Sequence, residues 1–120
     1  MTPPELEAPE RGDVVLVLFP HSDLRTAKTR PALVVQADDL GTGLSQVIVA
    51  MISGRTFRSG HPSRVAVDLS TPEGRRSGLL TDSVVMTDNL ATITGTAIDR
   101  AIGTLPMAGT DAALRHTLGL

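Results

Sequence analysis

Apolar residues in this chain fall in short β-branched runs separated by polar or glycine-rich stretches, and only the last segment shows helical spacing. Val14 to Phe19 is apolar throughout and stops at Pro20, the pattern of a strand buried on both faces. His21 to Thr29 is polar and charged, which predicts a surface loop. Pro31 to Gln36 predicts a second strand, with proline at its first position, where no mid-sheet donor is lost. After the turn cluster from Asp38 to Gly43, Gln46 to Ile52 gives a third strand, ended by Ser53-Gly54. Arg55 to Ser63 predicts a mobile basic loop, Val65 to Leu69 a short strand, and Thr71 to Gly74 a turn. Leu79 to Met86 predicts a fifth strand, Ala91 to Thr94 another short one, and Ile98 to Leu105 a turn and a final strand. A terminal helix follows, with Thr110 as N-cap, Asp111 at its positive end, and Leu114 and Leu118 on one face. Six or seven short strands and one helix predict a mainly β (β-rich α+β) fold. The expected form is a small, strongly bent antiparallel barrel with a C-terminal helix.

Composition narrows the chemistry. The chain has 120 residues, 41% of them apolar, which fits one core: an acidic, Pro-rich flexible arm over 1–10 and a single barrel domain over 11–120. With two Phe and no Tyr or Trp, recognition by aromatic base stacking is disfavoured. The absence of Cys removes disulfides, thiolate catalysis and Cys-type zinc sites, and the three scattered His residues have no ligand spacing, so neither metal nor cofactor is expected. No basic n-region precedes an apolar segment and no apolar run approaches spanning length, so the expected location is cytoplasmic, with no membrane partner. The formal charge is −2, but its distribution is uneven. Between His21 and Arg64 six bases (Arg25, Lys28, Arg30, Arg55, Arg58, Arg64) stand against three acids (Asp23, Asp38, Asp39), so a basic face can exist on an acidic protein.

Arg30 is the first candidate for chemistry. The following proline disfavours helical backbone at Arg30, so its guanidinium leaves a stiff, extended segment. The plainer reading is a solvated charge at the start of a strand. His21, in the loop before Arg30, titrates near neutrality and is a candidate proton carrier.

Several stretches in register extend this reading. Arg11 to Val17 with Phe19-Pro20, then Thr29 to Val35, then Val47 to Ser53, resemble the MazF/PemK toxin family of toxin–antitoxin systems in order and in gaps. Gly78-Leu79-Leu80, Ser83-Val84-Val85, Asp88-Asn89-Leu90 and Thr92-Ile93 resemble the family's later strands, and Leu114 to Leu120 its closing helix. The resemblance implies an SH3-like barrel that forms a homodimer and cuts single-stranded RNA at short preferred sequences without a metal. It also implies a 2′,3′-cyclic phosphate and a 5′-hydroxyl as products, and neutralisation by a cognate antitoxin protein. By the same resemblance Arg30 and Ser53 form the catalytic pair, with Ser in place of the family's Thr, and Asp88 matches an acidic position that some members use as a proton acceptor.

Metal-free cleavage by the adjacent 2′-OH requires that proton to be removed, the dianionic phosphorane stabilised and the leaving 5′-oxygen protonated. Arg30 suits stabilisation, since its planar fork holds two phosphoryl oxygens at once and stays charged. Ser53 can donate to the same phosphate, or satisfy its own backbone at the strand end; Asp88 can reach the cleft from the end of a strand, or form an Asx-type turn with Asn89. Arg25, Lys28, Arg55 and Arg58 flank the pair and are expected to hold RNA phosphates. Two positions depart from many relatives: Met86 stands where an Arg is common, and Ala91 where a basic or aromatic residue is common. A binding module or CcdB-like gyrase poison on the same barrel, or a degenerate toxin that keeps its antitoxin, remain the alternatives.

Overall fold

The computed structural model describes residues 8–20 and 27–120. The valine-rich runs become β1 (Asp13–Pro20) and β3 (Gln46–Ser53). Between them lies β2 (Ala27–Val34), followed downstream by β4 (Arg64–Val67), α1 (Pro72–Arg76), β5 (Ser83–Thr94), a 3₁₀ turn (Gly95–Ala97), β6 (Ile98–Thr104) and α2 (Ala108–Leu118). One antiparallel sheet runs in the order β4-β5-β3-β2-β1-β6, so the mainly β class with a C-terminal helix is the architecture observed.

Side chains alternate between two apolar layers, as period-2 geometry requires. Val14, Leu33, Ala50, Ile52 and Val85 face one layer, which takes Met107 and Leu114 from the α2 side; Val15, Val17, Ala32, Val34, Val49 and Met51 face the other. Burial on both faces explains why these strands read as unbroken apolar runs.

Four expectations need correction. β2 starts at Ala27, so Lys28, Thr29 and Arg30 are strand residues, paired with β1 through Lys28↔Phe19 and Arg30↔Val17. Pro31 therefore lies inside the strand. The predicted fifth and sixth strands are one 12-residue strand, interrupted by a bulge: Met51 opposes Met86 while Ala50 opposes Leu90, leaving Thr87, Asp88 and Asn89 without partners on β3. Thr71 to Gly74 opens a helix, with the Thr71 hydroxyl accepting from Gly74 N at 3.0 Å and Pro72 in the first turn. Finally, α2 begins two residues before Thr110, which is buried within its first turn; Asp111 bonds Arg11 and ties the helix to the β1 end of the sheet.

The bulge has an odd number of extra residues, so it swaps the faces of β5. Val85 points to the first layer and Met86 to the second, whereas beyond the bulge Leu90 points to the first and Ala91 and Ile93 to the second. Its first residue is held from outside β3. Thr87 N and Oγ1 both donate to the Ser63 carbonyl, at 3.0 and 2.6 Å, and Oγ1 lies 2.7 Å from Thr117 Oγ1 of α2.

Candidate functional site

The β2–β3 ladder is short. Its pairs are Val34↔Val49, Leu33↔Ala50 and Ala32↔Met51, and there it stops. Continuing the same register by two residues sets Arg30 opposite Ser53. The cause of the gap is legible in the backbone. Val35 N donates across to Ile48 O at 3.1 Å, so odd-numbered donors of β2 aim at β3, and the next donor required after Leu33 would be that of Pro31, which has none.

Where the strands part, a cleft of about 620 Å³ opens, lined by Lys28, Thr29, Arg30 and Pro31 on one side and by Met51 to Arg55 on the other, with Met86 and Asn89 of β5. By alternation Lys28, Arg30, Met51, Ser53 and Met86 belong to one face of the sheet. Lys28, Arg30 and Arg55 are exposed, Ser53 is half-buried, and the lining holds three cations and no carboxylate among the described residues. Such a cleft concentrates a polyanion and has a fork for two phosphoryl oxygens.

Ser53 Oγ accepts from Arg55 N at 3.0 Å, closing the strand-end turn. That bond uses an oxygen lone pair and leaves the hydroxyl proton for donation, so the turn fixes the donor rather than consuming it.

Residues 10–116 match the family described as the PemK-like, MazF-like toxin of type II toxin–antitoxin systems. The chain belongs to this family. It is 33% identical over 107 residues to endoribonuclease MazF6 of Mycobacterium tuberculosis and, equally, to endoribonuclease MazF2 of Mycobacterium bovis, covering 86% of this chain and 90% of each relative. A mycobacterial endoribonuclease solved in complex with its cognate antitoxin superposes with a TM-score of 0.68 at 27% identity, covering 94% of this chain and 97% of that one. A MazE–MazF complex from Deinococcus radiodurans, 19% identical over 94% of this chain and 97% of that one, has the same fold with a TM-score of 0.70.

In this MazF-like chain the remaining candidates divide. Arg30, Ser53, Lys28 and Arg55 meet in the cleft, while His21 and Arg25 lie outside the described residues. Arg58 is not among the lining residues; it sits at φ 66° in the turns before β4, where its carbonyl accepts from His61 N at 3.0 Å. The expected position of Asp88 is corrected most. It is in the bulge within β5 rather than after a strand, outside the cleft lining, and both its oxygens accept from Arg64, at 2.9 Å from Nε and 3.1 Å from Nη2. Hydrogen bonding from that guanidinium holds the Asp88 carboxyl below its usual range, which makes it a poor proton acceptor near neutrality.

Of the two departures noted in the sequence, Met86 lines the cleft and Ala91 packs in the second apolar layer. Asn89 also reaches the cleft, a role sequence reasoning missed. The only local signal was a polar Thr-Asp-Asn step breaking the alternation between Met86 and Leu90.

Proposed function

We propose that this chain is an endoribonuclease toxin that cleaves single-stranded RNA without a metal ion and is neutralised by a cognate antitoxin. The supporting observation is the joint presence of Arg30 and Ser53 in one cationic cleft, opened by Pro31. The 2′-oxygen attacks the adjacent phosphorus, the bond from phosphorus to the 5′-oxygen breaks, and the 2′-OH proton leaves as the 5′-oxygen gains one. The products are a 2′,3′-cyclic phosphate and a 5′-hydroxyl. Arg30 stabilises the charge growing on the two non-bridging oxygens, and Ser53 Oγ–H donates to one of them. Lys28 and Arg55 hold flanking phosphates, a contribution that weakens with added salt.

The family's pairing with antitoxins, and the antitoxin seated on a relative 27% identical to this chain, support the same inhibition here. The chain acts as a cytoplasmic homodimer in this reading. No described helix is long and apolar enough to cross a membrane.

The test is incubation of the purified chain with a long single-stranded transcript in the presence of a chelator, followed by end-group analysis. Fragments with 5′-hydroxyl ends that disappear with Arg30→Ala support the reading. An intact transcript alongside inhibited gyrase supercoiling replaces it with the gyrase-poison alternative.

A further inference from the structure

Arg64 is not among the residues that line the cleft, yet three observations connect it to the cleft wall. As the first residue of β4 it is the cross-strand partner of Met86, which in turn opposes Met51, so Arg64, Met86 and Met51 form one row across three strands. Its guanidinium, with the side chain only 15% exposed, grips both oxygens of Asp88 in the bulge. On either side of that gripped aspartate, Met86 and Asn89 are the two β5 residues that line the cleft.

A three-residue bulge has no ladder bonds to β3 of its own, so something else must choose one backbone path for it. Thr87 is fixed from below by the Ser63 carbonyl and Thr117. Asp88 is fixed from the side by Arg64. Asn89, the next residue, then carries a carboxamide with both donor and acceptor atoms, the type of group that reads a nucleobase edge.

We infer that Arg64 is a positioning residue: through Asp88 it holds the bulge of β5 so that Met86 and Asn89 form the base-facing wall of the cleft and set which RNA sequences are cut. The last step rests on the nuclease reading; the positioning step does not. Asp88 is thereby part of the support and not a proton acceptor.

The experiment uses the full chain carrying ¹³C-methyl methionine, with Arg64→Gln, Asp88→Asn and the double variant. The expected result is that each single variant displaces or broadens the Met86 methyl signal and leaves Met107, in the other apolar layer, in place. The double variant adds nothing beyond the singles, as two halves of one interaction require. A Met86 signal unmoved in both single variants overturns the inference whether or not the chain cuts RNA. With a long transcript as substrate, the single variants redistribute cut positions read by 5′-end sequencing and slow cleavage by about 10- to 100-fold, the scale of a small misplacement of substrate. An unchanged cut spectrum beside a displaced Met86 methyl overturns the selectivity step. A wild-type chain that cuts nothing removes the nuclease reading and leaves the methyl result to decide the positioning step.

Discussion

Arg30 and Ser53 occupy opposing register positions on β2 and β3, two residues beyond the last pair of a ladder that ends before reaching them. Residues that would be ordinary cross-strand neighbours in a continuous sheet instead face each other across a cleft. The chemistry proposed for the pair depends on that separation, because a ligand phosphate has to fit between them.

Replacing Arg30 by Ala should remove cleavage while leaving thermal unfolding nearly unchanged, since Arg30 is exposed. Losing one oxyanion donor in a preorganised site costs about 2.7–4 kcal/mol of transition-state stabilisation, or about 10²- to 10³-fold in rate, and a charged bidentate donor should reach at least that. Single-turnover cleavage of a transcript beside a melting curve checks both halves. A rate within threefold of wild type removes Arg30 from the mechanism.

Ser53 separates two effects in one side chain. Ser53→Ala loses the proposed phosphate donor and also the acceptor for Arg55 N, a turn bond worth about 0.5–1.5 kcal/mol. Ser53→Thr keeps the hydroxyl. The expected order of activity is therefore Ser near Thr and both well above Ala, with a small fall in melting temperature only for Ala. If Ala cleaves as fast as Ser, the hydroxyl serves the turn alone.

Much of this architecture is legible in the sequence wherever a strand is buried on both faces. β1 and β3 differ from their predicted limits by one residue at an end or two, because an unbroken apolar run leaves no alternative. β2 is misjudged at its start because Lys28, Thr29 and Arg30 are exposed and paired on one side only, so no apolar run marks them. β5 is cut in two for a related reason: its odd-numbered bulge inverts the alternation, and a pattern of period two cannot be followed through it. Gly74 disguises α1 as a turn, although a side chain there would lie 2.0 Å from the Asp68 carbonyl oxygen. The pairing of Asp88 with Arg64, 24 residues away, leaves no local trace at all.

Glycine at 78 should be irreplaceable for stability. Its φ is +73°, and a Cβ there would sit 2.1 Å from the Ile102 carbonyl oxygen of β6, so both backbone conformation and close approach require glycine. Gly78→Ala should cost more than about 1 kcal/mol, read as a lower urea midpoint with an unchanged slope. A midpoint equal to wild type would mean that this turn moves freely away from β6.

The Asp88 carboxyl gives a pH dependence of defined sign. Arg64 lowers its pKa in the folded chain from the ordinary 3.8, so the pairing contributes fully above 3.8 and is lost as pH falls through the lower folded value. Acidification past that point should therefore displace the Met86 methyl signal as Asp88→Asn does at neutral pH. Carboxyl ¹³C titration of Asp88 checks the direction, and a midpoint at or above 3.8 contradicts it.

Pro31 is the residue that keeps the cleft open, and its replacement tests that directly. Pro31→Ala supplies the N–H that β2 lacks on the side facing β3, opposite Ile52 in the continued register. The new bond is worth about 0.5–1.5 kcal/mol, while loss of proline's restraint on the unfolded chain costs about 0.4–1 kcal/mol, so net stability should barely change. The geometry should change more. A ladder extended by one pair draws Arg30 towards Ser53 and narrows the space a phosphate needs, so cleavage should fall even though neither residue is altered. Hydrogen exchange of the newly introduced amide reads the ladder and transcript cleavage reads the cleft. Slow exchange of that amide in a fully active variant would show that the opening between β2 and β3 is not where the RNA is held.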